Sequence, residues 1–334
     1  MSRQQPRIAL AYHPALPVVG EADLDQIRTV GTLLNTEPLS QFDTDEARAI
    51  LADADVLIGH WGCPKLDEAA LAAAPGLGLF AYAAGTVKMQ VCDAVFDRGV
   101  RVTSGANANA EPVAEFTLAA ILFANKAVLW RRGPAGMASG MADLTNNARG
   151  NHGRTIGIIG ASQIGRRVIE LLRPFPHLAV QVYDPYLSKD DAVTLGVEKV
   201  ELDELCASVD VLSIPAPALP ETMHMIGTAQ IAALRDGATI INTARGPLLD
   251  HEALLPHVSS GRLFAMLDVT DPEPLEPDSP LLDLPNVWLS PHLAGSQGSE
   301  LARMTEFVVE EVRRWSAGEP ALNEVTRQRL ATMA

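Results

Sequence analysis

The stretch Thr155-Ile156-Gly157-Ile158-Ile159-Gly160-Ala161-Ser162-Gln163-Ile164-Gly165, followed by Val180-Gln181-Val182-Tyr183-Asp184, decides the fold of this chain. An apolar run of strand length ends at Gly160, and a helix-patterned run from Ile164 to Arg173 opens directly after it. A glycine-rich turn in that setting aims backbone N–H groups and a helix N-terminus at a pyrophosphate. Gly160, Ser162, Gln163, Ile164 and Gly165 are therefore the candidate phosphate-binding residues. Ser162 stands where the GxGxxG pattern has its middle glycine. Its Cβ shifts a bound cofactor slightly, or its hydroxyl donates to a phosphate oxygen. Asp184 ends the next strand, 24 residues after Gly160. A carboxylate there accepts from ribose hydroxyls and repels a 2′-phosphate, so NAD is the expected cofactor. The competing role for Asp184 is a cap ahead of Pro185.

Working outward, strands are expected at Thr155–Ile159, Ala179–Tyr183, Val211–Ile214, Thr239–Asn242, Phe264–Asp268 and Val287–Ser290, with helical runs between them. That alternation gives a doubly wound parallel sheet. The first third repeats the pattern on a smaller scale. Arg7–Tyr12, Val56–Gly59 and Gly78–Tyr82 read as strands, and Leu24–Leu34 and Leu66–Ala74 as helices. A long apolar helix is expected from Glu111 to about Trp130, with Pro112 in the early position helices accept. Trp130–Gly153, rich in Gly, Arg, Asn and Ser, reads as a loop. A final helix from Gln297 to Ala317 puts Leu301, Met304, Phe307, Val308, Val312 and Trp315 on one face, and the last ten or so residues read as loose.

Composition narrows the function classes. With 334 residues and 47% hydrophobic content, the chain is long enough for two domains with sizeable cores. A net charge of −15 opposes binding to nucleic acid or an anionic membrane. No apolar run reaches the roughly 18–20 residues that span a bilayer. The opening Met1-Ser2-Arg3-Gln4-Gln5-Pro6 has no basic-then-apolar leader, and Cys63, Cys92 and Cys206 lack CxxC spacing. Reduced thiols and a cytoplasmic location are expected, with no metal site.

Three further residues carry the chemistry. Arg245 follows the apolar strand Ile240-Ile241-Asn242 at a carboxyl strand end, where open sheets bind ligands. Its planar fork can take a carboxylate and a neighbouring carbonyl oxygen together. His292 follows Ser290-Pro291 and precedes, after Leu293, the pair Ala294-Gly295, small residues that let backbone approach a ligand. Glu273, in Asp271-Pro272-Glu273-Pro274, would stabilise the His292 imidazolium. A fixed cation, a carboxylate and an imidazole suffice to protonate the carbonyl of a 2-oxo acid. The other seven of the eight histidines, His60 among them, lack comparable context.

The glycine turn and the blocks around Arg245, Glu273 and His292 resemble the signature of the D-2-hydroxyacid dehydrogenase family. The resemblance is strong from about Glu111 to Gly295 and looser before it. It implies two doubly wound α/β domains: an NAD-binding Rossmann domain over residues 111–295, inserted into a flavodoxin-like substrate domain of residues 1–110 and 296–334. Asp268 then matches the position that hydrogen-bonds the nicotinamide carboxamide, and Pro217, Thr222, Thr243, Ala244 and Gly295 also line the cofactor. Backbone at Trp61-Gly62 and Ala84-Gly85 would complete the acid pocket. Two departures stand out. Pro215 replaces a frequent His, and Ala83-Ala84-Gly85-Thr86-Val87-Lys88-Met89 replaces a Gly-rich turn followed by Asp-Asn. A lysine opening a helix near Met89 is unfavourable by dipole, so Lys88 is a candidate for a second anionic group on the substrate. The activity implied is interconversion of a small D-2-hydroxy acid and its 2-oxo acid by a homodimer joined through the nucleotide domains. The alternative is an NAD-sensing corepressor on the same fold.

Overall fold

Residues 5–130 and 150–333 are described by a computed structural model. They divide into two units, one of residues through Asn109 together with Ser296–Met333, the other Ala110–Gly295.

In the first unit short aliphatic runs form five parallel strands: β1 (Arg7–Ala11), β2 (Thr32–Leu33), β3 (Val56–Gly59), β4 (Leu79–Tyr82) and β5 (Arg101–Ser104). Their order is β2-β1-β3-β4-β5, so the winding direction reverses between β1 and β3. Helices α1 (Glu21–Arg28), α2 (Asp45–Asp53), α3 (Glu68–Ala73) and α4 (Asp93–Asp97) alternate with the strands. Thr44 and Asp67 cap α2 and α3 by accepting the Ala47 and Ala70 N–H groups. Ile8, Leu10, Leu57, Leu79 and Phe80 are fully buried, as in a parallel sheet covered on both faces.

Two expectations fail here for local reasons. The helical run expected to Leu34 stops at Arg28, because Gly31 passes too close to the Pro6 carbonyl for any Cβ and hands Thr32–Leu33 to the sheet edge. No helix opens at Met89, which is 75% exposed in a turn. Val91 instead bridges Leu66, and α4 waits until Asp93. The dipole argument for Lys88 falls with that helix.

The second unit begins at Ala110 within α5 (Ala106–Lys126), a helix that starts five residues earlier than the sequence suggested (111 − 106). Pro112 thus lies inside the helix rather than at its start. The Asn-Ala-Asn-Ala lead-in has no apolar rhythm to announce it, and Ser104 Oγ accepts the Ala106 N–H there. Beyond it come β6 (Arg154–Ile159), α6 (Gln163–Leu172), β7 (Leu178–Tyr183), α7 (Lys189–Leu195), β8 (Glu198–Lys199) and α8 (Leu202–Ser208). The second half holds β9 (Val211–Ser213), α9 (Thr228–Ala233), β10 (Thr239–Asn242), α10 (His251–Ser259), β11 (Phe264–Leu267) and β12 (Val287–Leu289). The seven strands are parallel in the order β12-β11-β10-β9-β6-β7-β8, reversing between β6 and β9. Most of the loop expected over Trp130–Gly153 lies outside the described residues.

Back in the first unit, a short 3₁₀ turn leads into α11 (Leu301–Ala317), whose Met304, Val308 and Val312 are buried against the sheet. The C-terminal residues are not loose. Thr326 caps α12 (Arg327–Thr332), and Arg327 pairs with Asp97 at 2.7 Å. Among the described residues no helix is long and apolar enough to cross a membrane.

Candidate active site

The turn after β6 is built for close approach. Gly160 has φ +98°, and a Cβ on it would lie 3.1 Å from Ala216 Cα; a Cβ on Gly165 would lie 2.0 Å from the Gly160 carbonyl oxygen. Both positions exclude side chains, and α6 packs against its own entry turn. Ser162 caps α6 by accepting the Gly165 N–H at 3.2 Å. Its hydroxyl donates to the Pro215 carbonyl at 2.7 Å, so the expected donation to a phosphate oxygen is corrected: that proton already has an acceptor. Among the described residues the N–H groups of Gln163 and Ile164 have no acceptor, which leaves the first turn of α6 open to an anion. Asp184 Oδ2 accepts the Ala161 N–H at 2.7 Å, and Oδ1 accepts from Tyr186 at 2.7 Å and Leu187 at 3.2 Å. Three backbone donors thus orient the Asp184 carboxylate at the end of β7, where it caps the turn. Free helix N–H groups beside a held carboxylate fit a dinucleotide.

The other cofactor candidates serve partly as scaffold. Thr222 Oγ1 donates to the Pro217 carbonyl at 2.7 Å and accepts the Leu219 N–H at 2.8 Å, closing the loop after β9. Thr117 Oγ1 donates to the Val113 carbonyl at 2.7 Å, so the 2.9 Å bond between Thr117 and Thr243 uses the Thr243 proton. Thr243 is thereby tied inward to α5.

Beyond β10 the buried Asn242 staples a tight turn. Its Nδ2 donates to the Arg245 carbonyl at 2.8 Å and its Oδ1 accepts the Ala244 N–H at 3.1 Å. Gly246 is forced by crowding: a Cβ there would lie 1.9 Å from the Thr270 carbonyl oxygen. Among the described residues the Arg245 guanidinium has one acceptor, the Ala244 carbonyl at 2.6 Å. Burial lowers the Arg245 pKa while the charge of Glu273 pulls it up. A largely desolvated cation with most of its N–H groups free is a site for an anion.

His292 Nδ1 lies 2.7 Å from Glu273 Oε1, with the side chains 48% and 40% exposed. That bond fixes the ring proton on Nδ1 and leaves Nε2 for exchange. His292 takes φ +55°, an uncommon conformation for a residue with a Cβ. Asp268 holds it there. This carboxylate, 2% exposed, accepts from Ser290 Oγ at 2.5 Å, Leu293 N at 2.7 Å and Ala294 N at 2.9 Å, and its own carbonyl accepts the His292 N–H at 2.9 Å. The sequence suggested a nicotinamide contact for Asp268; the bonds formed give it the task of shaping the 290–294 loop that ends at Gly295.

Within the first unit, Ser104 Oγ donates to the Gly85 carbonyl at 2.5 Å, fixing the segment after β4. The N–H groups of Ala84 and Gly85 have no acceptor among the described residues. Gly62 has φ +78° and leaves no room for a Cβ beside His13. Asn242, Ser290 and Ser104 escaped the sequence reading. Their one signal is a polar residue at or just past a strand end.

Two parallel-sheet units, one bearing a dinucleotide cradle with an imidazole–carboxylate pair and a largely desolvated guanidinium at its strand ends, define a dinucleotide-binding α/β protein with acid–base groups. The chain belongs to the D-isomer specific 2-hydroxyacid dehydrogenase family. Residues 130–294 match the family's NAD binding domain, and NAD(H) is the cofactor of this unit. The chain is 34% identical to a D-3-phosphoglycerate dehydrogenase of Mycobacterium bovis, over 91% of this chain and 58% of that one, so it spans little more than half of that relative's length. It is also 34% identical to a glyoxylate reductase of Korarchaeum cryptofilum, over 83% of this chain and 84% of the other. A D-mandelate dehydrogenase of Rhodotorula graminis shares the fold, with TM-score 0.80 at 22% identity over 97% and 98% of the two chains.

Proposed function

We propose that the protein interconverts a D-2-hydroxy acid and its 2-oxo acid with NAD(H). The observation that carries this reading is the 2.7 Å His292–Glu273 pair in the unit whose Arg245 guanidinium has, among the described residues, only the Ala244 carbonyl as acceptor. Bound NAD(H) supplies or accepts the hydride. Arg245 grips the substrate carboxylate and polarises its carbonyl oxygen. In the reducing direction His292 gives that oxygen the proton on Nε2, and Glu273 steadies the resulting imidazole through Nδ1–H. Asp184 takes the ribose hydroxyls, and the first turn of α6 takes the pyrophosphate. Trp61-Gly62 and Ala84-Gly85 present backbone to the acid. A homodimer joined through the nucleotide-binding units belongs to the same proposal, on the family resemblance, and light scattering tests it. The activity test is NADH oxidation with a panel of 2-oxo acids. Tight NADH binding with no oxidation by any of them would overturn the enzyme reading in favour of an NAD-sensing protein.

A further inference from the structure

In the first unit the chain after α11 returns along the outer edge of β5, the last strand of its sheet. The Val325 N–H donates to the Val102 carbonyl at 2.8 Å, the Ser104 N–H donates to the Asn323 carbonyl at 3.2 Å, and Glu324 is bridged antiparallel to Thr103. A buried carboxylate anchors this segment. Glu311 on α11, 1% exposed, accepts the Leu322 N–H at 3.1 Å and the Asn323 N–H at 2.9 Å. Burial pushes its pKa up, and the two N–H groups pull it back. A carboxylate so placed is costly unless its oxygens are hydrogen-bonded, which commits α11 to these two residues of the segment.

Asn323, equally buried, uses both ends of its side chain. Its Oδ1 accepts from Arg329 at 2.6 Å, and its Nδ2 donates to the Ser104 carbonyl, so only one orientation of the amide satisfies both partners. Ser104 in turn holds the loop after β4. Its hydroxyl donates to the Gly85 carbonyl and accepts the Ala106 N–H at 3.1 Å. A Cβ on the following Gly105 would lie 3.3 Å from both the nitrogen and the oxygen of Ala84. The loop that carries the acceptor-free N–H groups of Ala84 and Gly85 therefore rests on the Ser104-Gly105 backbone, and Asn323 grips that backbone from the edge of the sheet.

We propose that Asn323 is a positioning residue: by fixing the Ser104 backbone it sets the direction in which Ala84 and Gly85 present their N–H groups to the substrate carboxylate. The carboxylate as their ligand rests on the 2-oxo acid reading above. The route from Glu311 through Asn323 and Ser104 to Gly85 lies wholly within the first unit. A segment that only stabilised the sheet edge would need its backbone rungs and Glu311. It would not need a side-chain amide aimed at the one residue that holds the loop.

The test is a double-mutant cycle of Asn323→Ala and Ser104→Ala, read by steady-state kinetics on the best 2-oxo acid and by amide hydrogen exchange. The carboxylate does not change during the reaction, so misdirected N–H groups should raise KM and spare kcat. Each single variant should raise KM roughly tenfold, about the worth of one hydrogen bond to a charged group, with NADH affinity unchanged. The double variant should be no worse than the worse single, because both act through one route. The Ala84 and Gly85 amides should exchange faster in Asn323→Ala while those of Leu10 and Ile58 in the core keep their rates. If Asn323→Ala does not fold, Asn323→Gln, which displaces the same amide by one methylene, takes its place. Additive effects, a fall in kcat matching the rise in KM, or faster exchange across the whole unit would overturn the positioning role. Absence of turnover with every 2-oxo acid in the wild type would instead overturn the enzyme reading, and the exchange rates would still decide what Asn323 holds.

Discussion

Replacing Gly246 by alanine places a methyl group 1.9 Å from the Thr270 carbonyl oxygen, 2.1 Å from its carbon and 2.7 Å from Asp271 N. All three are backbone atoms, so no rotamer change relieves the contact. Reaching even 3.0 Å requires a displacement of 1.1 Å (3.0 − 1.9). The segment that must move leads directly to Glu273, whose Oε1 is 2.7 Å from His292 Nδ1. Misplacing a reacting group by about 1 Å can cost on the order of 10²-fold. Gly246→Ala should therefore lower kcat by roughly that factor, while overpacking costs about 1–3 kcal/mol of stability. NADH affinity should change little, since the α6 turn and Asp184 lie on other strands. Steady-state kinetics beside calorimetric NADH titration separates these effects. Gly76→Ala, where the nearest atom is 3.4 Å away, serves as control. Turnover of Gly246→Ala within about twofold of wild type would refute the coupling between this contact and the acid–base pair.

Replacing His292 by alanine should cost about 10²–10⁴ in kcat and leave NADH binding nearly intact; wild-type turnover would remove His292 from proton transfer. Asp184→Ala should weaken NADH and relax discrimination against NADPH, measured as the ratio of the two kcat/KM values; equal use of both cofactors by the wild type would show that Asp184 does not face the ribose. His60 gives a pH signature of its own. Its folded pKa of about 4 lies below the ordinary 6.5, so the unfolded chain binds the proton first as pH falls. The stability from this site is complete above about 6.5 and is lost toward 4. Between pH 7 and 5.5, above the isoelectric point of 4.9, wild type should lose about 1 kcal/mol more than His60→Phe in urea unfolding. Parallel losses in the two proteins would mean that His60 titrates normally.

The chemistry-bearing blocks were legible because their signals are local. A strand, a glycine turn and a helix run consecutively through Thr155–Arg173, and Arg245 and His292 each follow an apolar run into small residues. What stayed hidden depends on partners distant in sequence. Nothing near Asp268 announces that its carboxylate collects Ser290, Leu293 and Ala294 across more than twenty residues. His60 looked like any lone histidine, since burial and the Trp61 N–H that fixes its tautomer are properties of the folded unit. Two-residue edge strands such as Thr32–Leu33 and Glu198–Lys199 are too short for a period to register. The start of α5 hides in small polar residues, and Lys88 misled because a helix was inferred where the chain makes a turn and then bridges Leu66 through Val91.

Ser162, which breaks the glycine fingerprint, acts as a stitch. By holding the Pro215 carbonyl while capping α6, its side chain ties the loop leaving β6 to the loop leaving β9, the two that flank the reversal in strand order. The gap into which a dinucleotide fits is then spanned by a side-chain tether rather than left open by an absent Cβ. Glycine at that position gives clearance and nothing else, whereas serine gives up some clearance and fixes a width. Restoring the consensus glycine here would loosen the seam it was meant to perfect, so a departure from the motif is part of how this particular crevice keeps its shape.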